Sequence, residues 1–289
     1  MSLIAPTQLA VDSVGYVDQQ VAAMQALTVP SVQVGNLQTD LKQIKQEAAV
    51  WPNSLRSEVI AAMQQVIACA TQFIQSLPST ANMDQKALVA FMTQTQQSLG
   101  GLSHTVDLTG THAGDFRSQL DHDVSSLNQD LLVIQSQIST DQQKVRDLHA
   151  QVRHLQEKLA RYQRNPFERM GAYIIDLLTG NIRDLTFSSW TVEQEEGQLN
   201  NTQQSLWQLL ATTGPLTSLT TAATKLSSGL IYLKGAVDEV SNTLQGLLQT
   251  PPIAAIIQAE LQTIGDDLKE ASRIANEVIN QPATLGARA

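Results

Sequence analysis

Few residues in this chain have the types and spacing needed for catalysis or metal binding. His149 and His154 are five residues apart and so lie on different faces of a helix, whereas two zinc ligands on one face are four apart. Cys69 is the only cysteine, and its apolar neighbours favour a core position over a nucleophile. The sequence has no glycine-rich phosphate loop, no Gly-x-Ser-x-Gly elbow and no paired cysteines. We therefore expect no enzyme activity, no catalytic residue, no cofactor and no metal.

One local cluster leaves two interpretations open. Asp121-His122-Asp123 combines two carboxylates with an imidazole, which is compatible with a metal site. Acidic residues are also favoured in the first turn of a helix, where they interact with the helix dipole. The second interpretation is the stronger one and predicts a helix that begins near Phe116.

The elements that would position any site are helices. Apolar residues recur at alternating spacings of four and three, which we call seams, and this pattern is typical of helices that pack lengthwise. The longest seam extends from Leu120 to Tyr162, and the absence of proline from it predicts one helix over 116–164. Other seams lie at 37–59, 63–77, 219–247 and 257–278.

Prolines and glycines divide these seams. Pro52 predicts a kink or a break, whereas Pro78 and Pro251-Pro252 predict helix ends. Shorter helices are predicted over 7–27, 84–99 and 190–212. Residues 100–114 are predicted to form a loop, and Gly180-Asn181 and Gly214-Pro215 to form turns. No segment predicts a strand, so the fold class is all-α: an elongated antiparallel bundle of long helices.

Composition excludes several classes of protein. The 289 residues carry a net charge of −9, which argues against nucleic acid as a partner. No run of about 18 apolar residues predicts a transmembrane helix. Residues 1–20 lack the basic region and apolar core of a classical secretory signal, so we expect none.

One segment departs from the bundle pattern. In 165–190 the apolar residues lie at helical spacing with little polar surface opposite them, and the preceding stretch 144–169 has seven basic residues against three acidic ones. Such a segment either caps the bundle core or lies at a membrane surface, where basic residues meet anionic headgroups. The candidate lipid or partner contacts are Phe167, Met170, Tyr173, Ile174, Ile175, Leu177 and Leu178, and the candidate headgroup-steering residues are Arg161, Arg164 and Arg169.

This order of helices resembles the α-helical pore-forming toxins, which include cytolysin A, haemolysin BL and the xenorhabdolysins. The resemblance rests on a long heptad helix (116–164), a short apolar tip (166–187), a returning helix (190–212) and further long helices. It implies a tail bundle formed by 1–164 and 190–289 and a small head at 165–189.

The resemblance also implies a function. The chain would be a component of a bacterial multi-component cytolysin or haemolysin that is secreted in soluble form, binds a target-cell membrane or sister subunits through its tip, and oligomerises. The tip is too short to span a bilayer, which favours a component that docks over one that lines a pore alone. Hinge candidates for the rearrangement are Gly100, Gly101, Gly180 and Gly214.

The sequence also allows a second interpretation. The same seams are compatible with a cytoplasmic coiled-coil scaffold that binds other helices and has neither an enzymatic nor a membrane role.

Overall fold

The described part of the chain is helical almost throughout. The structure, a computed structural model, describes residues 2–27, 36–80, 84–137, 198–249 and 254–280. Within these ranges there is no strand, which confirms the all-α prediction. The helices are α1 (Ile4–Ala26), α2 (Leu37–Ala48), α3 (Arg56–Thr80), α4 (Gln85–Gln137), α5 (Gln198–Gln249) and α6 (Ala254–Asn280), with a π-helical turn at Trp51–Leu55.

The chain divides into two compact units. The first is built from residues 1–18, 51–116 and 222–289, and the second from residues 19–50 and 117–221. Three helices, α1, α4 and α5, contribute residues to both units.

The predicted seams form the cores. Side chains at the seam positions are buried in α2, α3, α5 and α6, as the spacing predicts for helices packed lengthwise. Examples are Leu37, Leu41, Ile44, Val59, Val66, Leu226, Leu230, Leu233, Leu261, Leu268 and Ala275.

Helices α4 and α5 run antiparallel within the first unit. The side-chain amide of Gln96 donates to the backbone carbonyl of Ser241 at 3.1 Å, and the hydroxyl of Ser103 donates to the carboxylate of Asp238. Residue numbers rise along α4 while those of their partners fall along α5. The antiparallel prediction therefore holds for this pair of helices.

The π turn lies where Pro52 predicts a kink. Proline lacks an amide hydrogen and clashes with the preceding turn, so the helix widens at this point. The indole Nε1 of Trp51 donates to the buried Asp18 carboxylate at 2.7 Å, and Nε of Arg56 donates to the same group at 3.0 Å. Asp18 thereby ties α1 to both ends of the turn.

The predicted loop over 100–114 is wrong, because these residues lie inside α4. Two of the glycines have a packing role: a Cβ on Gly110 would lie 3.5 Å from Leu230, and one on Gly114 would lie 3.6 Å from Ser227. Small residues let α4 approach α5 closely, so they favour helix pairing here. Helix α4 accordingly begins at Gln85 instead of Phe116, and 84–99 is part of it.

The predicted turn at Gly214-Pro215 is also wrong. Both residues lie inside α5, which includes the predicted short helix 190–212 from Gln198 onward. A proline in the interior of a helix destabilises that helix by about 3 kcal/mol. Residues 212–219 are all buried, and the burial of this stretch offsets that cost.

Gly229 offers a test of how closely α1 and α5 approach each other. A Cβ at this position would lie 2.8 Å from the backbone nitrogen of Ala10. Because backbone cannot move aside as a side chain does, Gly229→Ala should destabilise the protein by about 1–3 kcal/mol in urea unfolding.

Gly235 provides the matched control in the same helix. Nothing lies within 4 Å of a Cβ there. Gly235→Ala should therefore raise the free energy of unfolding by up to about 1 kcal/mol, since alanine favours helix. Equal effects of the two substitutions would contradict the close approach.

Candidate functional site

The apolar tip lies outside the described residues. This applies to the seven candidate contact residues between Phe167 and Leu178, to the basic residues Arg161, Arg164 and Arg169, and to Gly180. Their roles stay predictions from the sequence. No described helix is both long enough and apolar enough to cross a membrane.

The groups with potential for metal chemistry are dispersed among the described residues. No cluster of three His, Cys, Asp or Glu side chains in this part of the chain could hold a metal ion. Nδ1 of His112 lies 2.6 Å from Oε2 of Glu58 in a partly exposed pair. His149 and His154 lie outside the described ranges.

The helix dipole argument predicts that Asp121-His122-Asp123 lies at the beginning of a helix. This prediction is wrong, because the cluster lies well inside α4. The acidic residues instead face different surroundings. Asp121 is exposed and accepts a hydrogen bond from Nε of Arg117 at 3.1 Å, whereas Asp123 is 3% exposed.

Cys69 lies in the core, as its apolar neighbours predict. Burial raises the pKa of its thiol to about 11, so the thiol stays protonated at neutral pH. A protonated buried thiol is a poor nucleophile, which is consistent with a packing role.

Three hinge candidates lie inside helices. Gly100 and Gly101 are exposed in α4, with nothing within 4 Å of a Cβ built on either one, and Gly214 is buried in α5. Tertiary contacts therefore do not require glycine at 100 or 101. The hinge role of these positions stays a prediction.

An unexpected feature of the second unit is a set of four carboxyl groups between α2 and α4. The carboxyl group of Asp123 in α4 lies within hydrogen-bonding reach of Glu47 in α2, and that of Asp130 in α4 lies within reach of Asp40 in α2. Asp123 and Asp130 are only 3% and 5% exposed. Four carboxyl groups therefore meet across a helix interface, with the two α4 members buried and the two α2 members half-buried.

These contacts change how the carboxyl groups titrate. Burial, together with the hydrogen bond that the protonated carboxyl group makes to Glu47 and the charges of Glu47 and Asp40, raises the pKa of Asp123 to about 8. Burial and the charge of Asp40 raise the pKa of Asp130 to about 6, although a hydrogen bond from the Asn36 backbone acts in the opposite direction.

Sequence analysis missed these pairs, although the sequence contains a signal for them. Each of the two helices has two acidic residues that directly precede a seam residue, and the two acidic residues are seven positions apart. This repetition becomes meaningful only when α2 is known to pack against α4.

The fold places the chain in the class of bundles of long α-helices that pair along heptad seams. Residues 18–162 match the model of the Bacillus haemolytic enterotoxin (HBL) family, and the chain belongs to that family. No curated protein sequence matches the chain significantly.

Solved structures share this fold. Soluble AhlB of the tripartite α-pore-forming toxin AHL from Aeromonas hydrophila is 10% identical with a TM-score of 0.69, covering 96% of this chain and 92% of AhlB. Soluble AhlC of the same toxin is 16% identical with a TM-score of 0.64, covering 92% of this chain and 97% of AhlC. The AhlB pore is 12% identical with a TM-score of 0.65, covering 96% of each chain.

The family match confirms the resemblance made from helix order. It favours a toxin component over a coiled-coil scaffold. The structural matches add that the fold extends over nearly the whole chain.

The hinge prediction can be tested at Gly100 and Gly101. Replacing both by alanine should raise the free energy of unfolding by about 1 kcal/mol per site, because no contact opposes the higher helix propensity. If α4 bends here at a membrane, the double variant should also resist the cleavage near residue 100 that anionic vesicles induce in the parent protein. Limited proteolysis with and without vesicles measures this.

Gly246→Ala in α5 is the control, since a Cβ there also meets nothing within 4 Å. It should stabilise the helix and leave vesicle-induced cleavage unchanged. Cleavage of the parent protein that is the same with and without vesicles would contradict the hinge.

Proposed function

We propose that this chain is one component of a multi-component α-helical pore-forming toxin, acting by binding and assembly and not by catalysis. The observation that carries the proposal is the family match over residues 18–162. The agreement of the fold with tripartite toxin components over more than 90% of the chain supports it.

The proposed mechanism begins with a soluble form. AhlB has been solved both as a soluble protein and as a pore. We infer two corresponding states here: a soluble protein that is secreted, and an assembled oligomer with sister subunits at a target-cell membrane. Long helices paired through seams suit such a change, because a seam that packs against one helix can pack against another.

Membrane contact is assigned to the apolar tip. Ile174, Ile175 and their apolar neighbours supply a face that can enter the interface, and a cluster of arginines precedes it. The tip has too few strongly apolar residues to span a bilayer, which needs about 20. The chain would therefore dock at the surface and require sister subunits to complete a pore.

Flotation with liposomes tests the proposal directly. The purified chain should float with anionic vesicles and release little entrapped dye by itself. Flotation with full dye release would show that the chain forms pores alone. Absence of flotation with both neutral and anionic vesicles would contradict direct membrane docking.

Charge insertion tests the tip. Ile174→Glu combined with Ile175→Glu should abolish flotation, since placing two carboxylates in the apolar interface is strongly unfavourable. The melting temperature should stay unchanged if the tip faces lipid. A lowered melting temperature with flotation retained would instead indicate that the segment caps the bundle core.

Ile231→Glu combined with Tyr232→Glu is the matched control for this change. Ile231 and Tyr232 are adjacent in α5, with 58% and 61% of their surfaces exposed. The double substitution adds the same two charges to exposed positions of the bundle and should leave flotation intact.

Charge removal tests the steering residues. Replacing Arg161, Arg164 and Arg169 together by glutamine should weaken binding to anionic vesicles roughly 100-fold, because each basic residue near such a surface contributes about 1 kcal/mol. Binding to neutral vesicles should change little. Flotation across a salt series measures the effect, which salt should diminish.

A control with the same change in net charge uses the exposed lysines Lys42, Lys86 and Lys269. Their replacement by glutamine should leave binding to anionic vesicles close to that of the parent. Equal losses in the two triple variants would show that net charge, and not the tip, governs binding.

A further inference from the structure

The carboxyl groups between α2 and α4 occupy matching positions in two seams. Within each helix the two acids are seven residues apart, or two helical turns. Each acid directly precedes a seam residue: Asp40 precedes Leu41, Glu47 precedes Ala48, Asp123 precedes Val124 and Asp130 precedes Leu131.

The pairing is antiparallel. Asp40 meets Asp130 and Glu47 meets Asp123, so numbers rise along α2 while those of the partners fall along α4. The result is two layers of paired carboxyl groups about 10 Å apart along the helices. Residues that flank a heptad seam usually pair with opposite charges, whereas here every member is an acid.

Buried oxygens in these layers lack donors. Oδ2 of Asp123, Oδ2 of Asp130 and Oε2 of Glu47 have no hydrogen-bond partner in the described part of the chain. Two ionised carboxylates cannot remain in contact in such surroundings, but one proton between them supplies the missing donor. Protonation therefore completes the interface.

Cations within the described residues of this unit are engaged elsewhere or exposed. On α2, Lys42 is exposed, and Nζ of Lys45 donates to the backbone carbonyl of Leu27 at 2.6 Å. On α4, Arg117 is paired with Asp121, and His122 is exposed.

The other described helical segments of this unit add no charge. Residues 19–26 of α1 and 198–221 of α5 include no acidic or basic side chain. Among the described residues, a proton is therefore the group that can relieve the repulsion within each carboxyl pair, since no described cluster could hold a metal ion.

We propose that the contact between α2 and α4 is a proton-dependent latch, closed while Asp123 and Glu47 share a proton and opened when that proton is lost to solvent. Loss of the proton leaves two anions in contact, and their repulsion separates α2 from α4. The latch is a property of the fold and does not depend on the proposed membrane function.

The direction of the pH dependence follows from the carboxyl groups. The pKa of Asp123 is raised to about 8, above its ordinary value of 3.8, so its stabilising contribution is complete below pH 3.8 and is lost as the pH rises through 8. The contribution of Asp130 is lost as the pH rises through about 6. The Asp123–Glu47 pair thus controls the latch at neutral and mildly alkaline pH.

Amide hydrogen exchange of the full chain between pH 6 and pH 9 tests the latch. After correction for the intrinsic exchange rate, protection of the α2 amides should fall about tenfold per pH unit up to pH 8 and then level off, because opening releases one proton. Protection of α6, in the other unit, should stay constant, which separates opening of the latch from global unfolding.

Asp123→Asn supplies a neutral side chain whose amide can donate to Glu47 at every pH. It should keep α2 protected and remove the pH dependence. Glu47→Gln should do the same from the other helix and serves if the first variant does not fold. Asp121→Asn, at an exposed position two residues away, should retain the slope of the parent protein.

Two results would overturn the latch. One is constant protection of α2 in the parent protein between pH 6 and pH 9. The other is a pH dependence in Asp123→Asn or Glu47→Gln that equals that of the parent.

Discussion

Burial of one apolar seam per helix is the constraint on which this structure depends. Isolated helices are only marginally stable in water, and these helices contain many glycines and threonines that lower helix propensity. Several threonines turn their hydroxyl groups back to the helix, as Thr95, Thr109 and Thr213 do to the carbonyl groups four residues earlier. These hydroxyl groups are thereby satisfied within their own helices, and burial of the seams is the main determinant of which helices pair.

The seams were predictable from the sequence because their period is a direct consequence of helix geometry. The positions from Leu37 to Val59 and from Ile257 to Val278 are buried as the spacing predicts. The helix boundaries were less predictable. Gly214-Pro215 and the glycines between 100 and 114 carry local turn signals, but packing against neighbouring helices outweighs those signals.

The two candidate sites also differ in how far the sequence alone predicts them. The tip was recognisable because its apolar and basic residues are adjacent in the sequence. The carboxyl pairs were not, since Glu47 and Asp123 are 76 residues apart and nothing local indicates that α2 pairs with α4. The resemblance to pore-forming toxins rested on helix order and on the place of the tip, and the family match confirms it. Errors in individual helix boundaries did not affect the resemblance, because the order of the seams does not depend on where each helix ends.

Natural sequences usually agree with their fold at every level, and exceptions concentrate where a protein has to change. The acid pairs are such an exception, because opposite charges at the same positions would hold α2 to α4 over a wide range of pH. A toxin component that passes from a soluble form to an assembly must exchange some helix contacts for others. Helix contacts whose strength depends on the pH of the solution can be exchanged without a large permanent loss of folding stability.

The hydrogen bond between Trp51 and Asp18 has an optical consequence. The indole is fully buried and donates to a carboxylate that also binds Arg56, so its surroundings are both apolar and charged. Separation of α1 from the turn would remove the carboxylate from the indole nitrogen and admit water to the ring. Trp51 is therefore a native fluorophore, and its share of the emission of the three tryptophans reports whether α1 is docked, without any label attached to the protein.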